Sequence, residues 1–541
     1  MTSKFSFEGR NEIEVVLKFG GGQNTNASED DIRDRESAGG QNAQLDLGDR
    51  NLRNRPAFDQ VGTVPNGSEI RGFVTQKQTD GTVKFLVQGG TNVYDWDGVS
   101  TFTSVATVNS NARLRGRKEH NWLLDDKVIV TDLALAQPVM EYDGTTLQNA
   151  SFNLAGDFLA KYCFVAAERA WFGHVDSNNV RTPHILVGSQ RQDFTQLSVT
   201  DRPASSLNDE DPFFLVTPDL KPINGLVQSW TSTSVSGGAQ DQRLVISSEE
   251  GVLSKIVGQS AQNFTIAEFY PESGAAGAES VRFIGNDIVY GRPGRIESVI
   301  ATETFGDVAA DDLSLPIKDM VQALTDWTTV YNSRNTRVYF FPDNESSVYV
   351  YFKDLRGTDV SPWYKWTTQH PLSFQPTAVM NMFDPADGLE YVFMGDSSGN
   401  IYRLEGRGVN GDGGTTQIQL EFLSRLYVLP RDAEAFNITG YVKYRKNLAN
   451  TITLRFEHAG YHVFNEEITV ELTSADTPGA HWSSDAYWGG DFFWNVRFAG
   501  KLTRQKFTVA GQSSDFQVRV IVEGTNPIEI NEIGLQLEAA S

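Results

Sequence analysis

Val93-Tyr94-Asp95-Trp96-Asp97-Gly98 returns 46 positions later (139 − 93) as Val139-Met140-Glu141-Tyr142-Asp143-Gly144. Each copy carries an acid and an aromatic into an Asp-Gly turn, and the chain then resumes with Phe102 in one case and Leu147 in the other. Asp-Gly between short apolar runs signals a hairpin, because glycine supplies the left-handed backbone that tight turns need. A period of roughly 40–50 residues is that of one four-stranded propeller blade. Outward from these copies, HILVGSQRQDFTQL (184–197), RLVISSEEGVLSKIVGQSAQNFTIA (243–267) and YVFMGDSSGNIYRLEG (391–406) repeat strand and polar turn with less fidelity. The first two share an Asp/Asn-Phe-Thr. The expected fold class is therefore all-β, with a β-propeller of six or seven blades over 67–410. The competing reading is an ordinary β-sandwich containing a chance repeat.

One helix is expected inside this region, near 315–325. In SLPIKDMVQALTDW, Ile317, Met320, Val321 and Leu324 fall at i, i+3, i+4, i+7, with Pro316 suited to the first turn and Ser314 available as the cap. After the Gly-rich stretch GRGVNGDGG (406–414) the pattern restarts. Ile418, Leu420 and Phe422, then Ile452, Leu454 and Phe456, then Phe516, Val518, Val520 and Val522 alternate with polar residues, which predicts a C-terminal β-sandwich over 411–541. At the other end, Ile13, Val15, Leu17 and Phe19 alternate as a half-buried strand. Residues 20–66 mix Gly, Asn, Asp and Arg with few apolar side chains. Such a segment buries no core of its own, so 1–66 is expected to be a strand plus an extended arm ordered by neighbours. A protein lacking 1–66 is expected to stay folded.

Composition narrows the function. The chain has 541 residues with 46 Lys+Arg against 69 Asp+Glu, a formal charge of −23, so its surface field opposes gripping nucleic acid or an anionic membrane. No run approaches the roughly 20 apolar residues of a spanning helix, and the start has no apolar signal core; no membrane span and synthesis in a cytoplasm are expected. A single cysteine, Cys163, excludes an internal disulfide and sits in the apolar run KYCFVAAERAWF, where it is expected to be inert core.

Catalytic signatures do not appear. There is no GxSxG, P-loop or HExxH, and only His458 and His462 among seven histidines are close in sequence, within strands. Asp95, Asp97, Glu141 and Asp143 lie at blade turns, where turn chemistry accounts for them. No enzyme activity, cofactor or metal is expected. The aromatic cluster HWSSDAYWGGDFFW (481–494) offers Trp482, Trp488 and Trp494 as interface aromatics or, on a second reading, as sugar-stacking platforms.

A polar arm, a propeller and an appended sandwich, in that order, resemble the tail hub, or nozzle, proteins of short-tailed bacteriophages, a group that includes packaged-DNA stabilisation proteins and, more distantly, tail tubular nozzles. The arm ESAGGQNAQLDLGDRNLRNRPAF is similar to the family's opening of an acidic residue, Gly-x-Asn, and basic-x-Arg-Pro, carried here by Glu36, Gly40, Asn42, Arg53, Arg55 and Pro56. The short helix leading into VYNSRNTRVYFF (330–341) is a second likeness. The chain departs from the pattern at Ala43, where the family usually has a bulky residue. The resemblance implies a homo-oligomeric, hexameric ring in the virion tail, below the head-to-tail adaptor and beside tail fibres or tailspikes. It implies a conduit through whose lumen packaged DNA passes without specific binding. The rival functions are a carbohydrate-active propeller, hydrolase or lyase, and a plain protein-docking scaffold.

Overall fold

A computed structural model describes residues 11–540, less three stretches, 199–206, 232–240 and 473–501, and several of six residues or fewer. Five antiparallel four-stranded sheets and one nine-stranded sheet, which divides into two blades, account for the middle of the chain among the described residues. Blade 1 runs from Ile70–Lys77 to Phe102–Thr107, blade 2 from Leu114–Gly116 to Leu147–Asn149, blade 3 from Phe158–Ala166 to Phe213–Val216, and blade 4 from Ile223–Thr231 to Thr265–Tyr270. Blade 5 runs from Val281–Ile284 to Val308–Asp312 and blade 6 from Trp327–Asn332 to Trp363–Thr367. Blade 7 takes Ala378–Phe383, Glu390–Gly395 and Asn400–Arg403 from the C-terminal side and its outer strand, Asp59–Thr63, from the arm. Neighbouring blades touch in chain order, blade 2 reaching blade 3 through Lys127–Asp132 and the others through their innermost strands, and the innermost strand of blade 7 touches that of blade 1, so the ring closes. A seven-bladed β-propeller is the result.

The two phrases that open the repeat are the third strands of blades 1 and 2. Trp96 and Tyr142, at equivalent positions, are both fully buried. Asp97 accepts from the amides of Val99, Ser100 and Thr101, and Asp143 from those of Thr145 and Thr146. The glycines after them take φ of 79° and 97°. Asp95 and Glu141 pair with Lys84 and Lys127 on the neighbouring strands, at 3.0 and 3.1 Å. These acids are spent on turns and cross-strand pairs.

Blades 1 and 2 are joined more closely than the others. Their innermost strands pair in parallel, Arg115 beside Phe73 and Gly116 beside Val74. A Cβ on Gly72 would lie 2.3 Å from the Leu114 carbonyl oxygen, so only glycine permits that approach.

The helix lies between blades 5 and 6 as a 3-10 turn, Leu315–Ile317, running into Lys318–Val321. Ile317, Val321 and Leu324 are buried against Trp327 and Trp363, with Met320 partly buried beside them. Ser314 does not cap it. Its hydroxyl donates to Asp312 and accepts from the amide of Ile296, tying the preceding turn to blade 5.

The second body is a two-sheet sandwich. One sheet is ordered Ala43–Leu45, Leu52–Asn54, Glu529–Ala540, Glu434–Arg445, Leu502–Ser513, with Asn11–Lys18 also on Glu529–Ala540. The other contains Gly39–Gln41, Leu420–Leu423, Asp515–Glu523 and Asn450–His458. The alternating residues Ile452, Leu454 and Phe456 and Phe516, Val518, Val520 and Val522 are fully buried between them. One apolar cluster continues from this core into blades 6 and 7 through Phe341, Trp366, Val392 and Tyr402, so the sandwich docks on that side of the propeller.

The described residues of 11–66 thus divide among both bodies. They supply strands to both sandwich sheets and the closing strand of the propeller. The expectation that 1–66 is dispensable for folding is corrected accordingly: its neighbours belong to its own chain.

Candidate functional site: the arm seam and the propeller axis

The six arm positions lie along the arm's path over blade 6 and into the sandwich, with Asn42 and Arg55 at the seam between the two. Gly40 has φ of 117°, and a Cβ there would lie 2.3 Å from the Glu421 carbonyl oxygen. Asn42 follows with φ of 59°, a left-handed conformation that asparagine tolerates better than most residues. Its amide donates to the Gln419 carbonyl at 2.9 Å, and its oxygen accepts from the Thr367 amide at 2.7 Å and Arg55 Nε at 2.9 Å. Arg55 is wholly buried. It pairs with Asp412 through both terminal nitrogens, donates to the carbonyls of Pro56 and Thr367, and lies 5.0 Å from the Phe374 ring centroid. Glu36, 4% exposed, accepts from Asn24 and from the Ser361 amide of blade 6. Arg53 pairs with Glu529 at 2.9 Å in the last strand of the sandwich. All six side chains or backbones are used within the chain. The interface candidates Trp482, Trp488 and Trp494 lie outside the described residues.

A second constellation sits on the propeller axis. Glu69, Arg113 and Asp326 each directly precede the innermost strand of a blade, and Glu279 precedes another by two residues. This shared position brings them from blades 1, 2, 6 and 5 to the wall of one cavity of about 400 Å3, which Asp343 also lines. Four acids far apart in the sequence are gathered here. Glu69 is spent on Arg71 at 2.9 Å. Glu279 is spent across the axis: Arg117 hydrogen-bonds it, Arg115 Nε lies 3.2 Å from the same oxygen, and Arg282 reaches within 3.9 Å. Blades 2 and 5 are on opposite sides of the ring, so this pairing bars the axis. Burial opposes ionisation of Glu279, but Arg115, Arg117 and Arg282 outweigh it and hold the carboxyl at about 2.

Asp326 and Asp343 remain on the wall. Asp326 accepts from the amide of Trp327. The Asp343 carboxyl is raised by burial first, with Asp326 and Glu279 adding to the effect and Arg113 opposing it.

The signal for half of this site was visible. In ARLRGRK (112–118), Arg113, Arg115 and Arg117 alternate, and a period of two puts them on one face of an extended segment. No sequence signal marks Glu279 as their partner, because 162 residues and three blades separate it from Arg117. Cys163 lines a smaller cavity beside the pairing, and burial pushes its thiol well above the usual range. Among the described residues, no group of three or more His, Cys, Asp or Glu is placed to hold a metal ion, and no helix is long and apolar enough to cross a membrane.

The chain matches no protein-family model and no curated protein. Solved structures do align with it. PorZ, a bacterial surface component of the type-IX secretion system of Porphyromonas gingivalis, is 9% identical over 76% of this chain and 46% of its own, with a TM-score of 0.35. BBS1N, solved in complex with ARL6DN, is 10% identical over 65% of this chain and 98% of its own, with a TM-score of 0.41. Virginiamycin B lyase of Staphylococcus aureus, a catalytically inactive variant solved with quinupristin, is 11% identical over 64% and 98%, with a TM-score of 0.37. Likeness at this level says nothing of what this chain does.

Proposed function

We propose that this chain is a structural subunit of a short-tailed bacteriophage tail, a hub or nozzle that sits in a ring below the head-to-tail adaptor and passes packaged DNA at ejection. The observation that supports the reading is the seam. Of the residues carrying the family likeness, Asn42 and Arg55 join blade 6 to the segment that enters the sandwich, Glu36 holds the arm to blade 6, and Arg53 pairs within the sandwich. The likeness therefore rests on residues that specify the architecture and not on incidental surface positions. A formal charge of −23 suits a lumen that DNA slides along without salt-dependent adhesion. Negative-stain imaging of the protein with its adaptor is expected to give six-fold rings with a central hole; persistent monomers in that mixture would sink the proposal.

A second reading has one observation in its favour. Asp326 and Asp343 share the wall of a cavity large enough for a small ligand, the arrangement a glycan-cleaving propeller needs. New reducing ends released from capsular or lipopolysaccharide glycan, and lost in Asp343→Asn, would establish it in place of the first.

A further inference from the structure

One sheet of the sandwich ends in two open edges. Its central run is ordered Asn11–Lys18, Glu529–Ala540, Glu434–Arg445, Leu502–Ser513, and every neighbouring pair is antiparallel. Among the described residues, Asn11–Lys18 and Leu502–Ser513 each pair on one side only. They are 8 and 12 residues long and contain no proline. An edge of that length presents a row of N–H and C=O groups ready for another strand, which natural sheets shorten, interrupt or cover.

The two edges suit each other. Strand direction alternates across the four strands, so Asn11–Lys18 of one copy laid beside Leu502–Ser513 of another continues the antiparallel order without turning either sheet over. The faces agree as well. Leu17 is buried and Val15 packs on the shared apolar cluster, while Glu14 is exposed. On the other edge Val509 is buried and Phe507 packs on the same cluster, while Lys506 and Thr508 are exposed. Continuing the sheet therefore sets apolar beside apolar and puts Glu14 on the same face as Lys506. Charge agrees too. NEIEVVLK (11–18) carries Glu12 and Glu14 against Lys18, and LTRQKFTVAGQS (502–513) carries Arg504 and Lys506 with no acid, in a chain whose formal charge is −23. Opposite charges on neighbouring strands stabilise a pairing, and like charges oppose it.

We propose that this sheet is an assembly surface whose partner is a second copy of the chain, Asn11–Lys18 of one copy adding to Leu502–Ser513 of the next. The contact joins two different patches, and a heterologous contact of that kind closes into a ring when its rotation permits. The proposal rests on the ring reading above and names the surfaces that make the ring.

Cross-linking through introduced cysteines tests it. Glu14 and Lys506 are exposed, so Glu14→Cys and Lys506→Cys leave the core untouched, and the new thiol is the accessible one because Cys163 is buried. Treated with a short bismaleimide in the presence of the adaptor, a mixture of the two variants is expected to give a covalent dimer that neither gives alone. A chain carrying both substitutions should give a ladder of multimers. Lys506→Glu sets acid against acid and is expected to cut the assembled fraction about fivefold, with Glu14→Lys in the same chain restoring it. Rings without the mixed cross-link, or with links from either variant alone or to the adaptor in its place, overturn this surface and leave the ring reading standing. A mixed cross-link in open chains instead of rings supports the surface and removes the ring reading, and absence of both removes the two together.

Discussion

Arg55 shows how much one side chain carries at the seam. Its guanidinium answers Asp412, Asn42 and two backbone carbonyls, and both members of the ion pair are fully buried. Arg55→Met leaves the Asp412 charge without its partner and is expected to cost about 3–5 kcal/mol. Urea unfolding checks this, and Arg55→Met combined with Asp412→Leu should recover part of the loss because no lone charge remains. Gly22 is constrained by space. A Cβ there would sit 2.1 Å from the Trp363 carbonyl oxygen, while its amide donates to Ser361. Gly22→Ala is expected to lift residues 20–24 off blade 6 and speed their amide exchange. His174 tests the interior of blade 3. Burial first, then Lys161 and Arg181, lower its imidazole to about 4, with the hydrogen bond to the Ile223 carbonyl opposing them. In the unfolded chain the same group titrates near 6.5. The unfolded state therefore binds the proton first, and stability falls as pH drops from about 6.5 to 4, by on the order of 2–3 kcal/mol. His174→Gln should flatten that part of the stability profile.

Among the elements, legibility followed length and period. Strands such as Asn450–His458 and Asp515–Glu523 alternate over nine residues and bury one face, so their sequence announces them. The inserted helix is legible for the same reason at a period of 3.6, although its cap is not, since Ser314 finds better partners in blade 5. The arm strands are three to five residues long and polar. Nothing local makes Asp59–Thr63 a strand; Asn400–Arg403, more than 330 residues away, does. The axial site is half legible on the same terms, with alternating arginines in one segment and an acid that only closure of the ring brings across. Removing 1–66 should therefore expose the outer edge of Asn400–Arg403 and uncover Glu529–Ala540, giving aggregated or protease-sensitive protein. A soluble truncated monomer with a wild-type melting profile would contradict that.

For the molecule as a whole, the joining of its ends is what makes it one body. The strand Asn11–Lys18 lies against Glu532–Ala539, and the arm passes from there along blade 6 into blade 7. Propeller and sandwich share one apolar cluster, so unfolding is expected to be a single transition at the seam, with tryptophan fluorescence and circular dichroism reporting the same midpoint. Two separated midpoints would show that the bodies melt independently.

The borrowed outer strand of blade 7 also imposes a schedule on biosynthesis. At about 5–20 residues per second, the 340 residues between Thr63 and Arg403 (403 − 63) take roughly 20–70 s to leave the ribosome. Throughout that interval the first-made segment has no finished place to go, and six blades stack beside an open gap. A cell making this protein must keep the waiting ribbon from pairing with a neighbouring nascent chain, which makes elongation speed, and not only sequence, a determinant of yield.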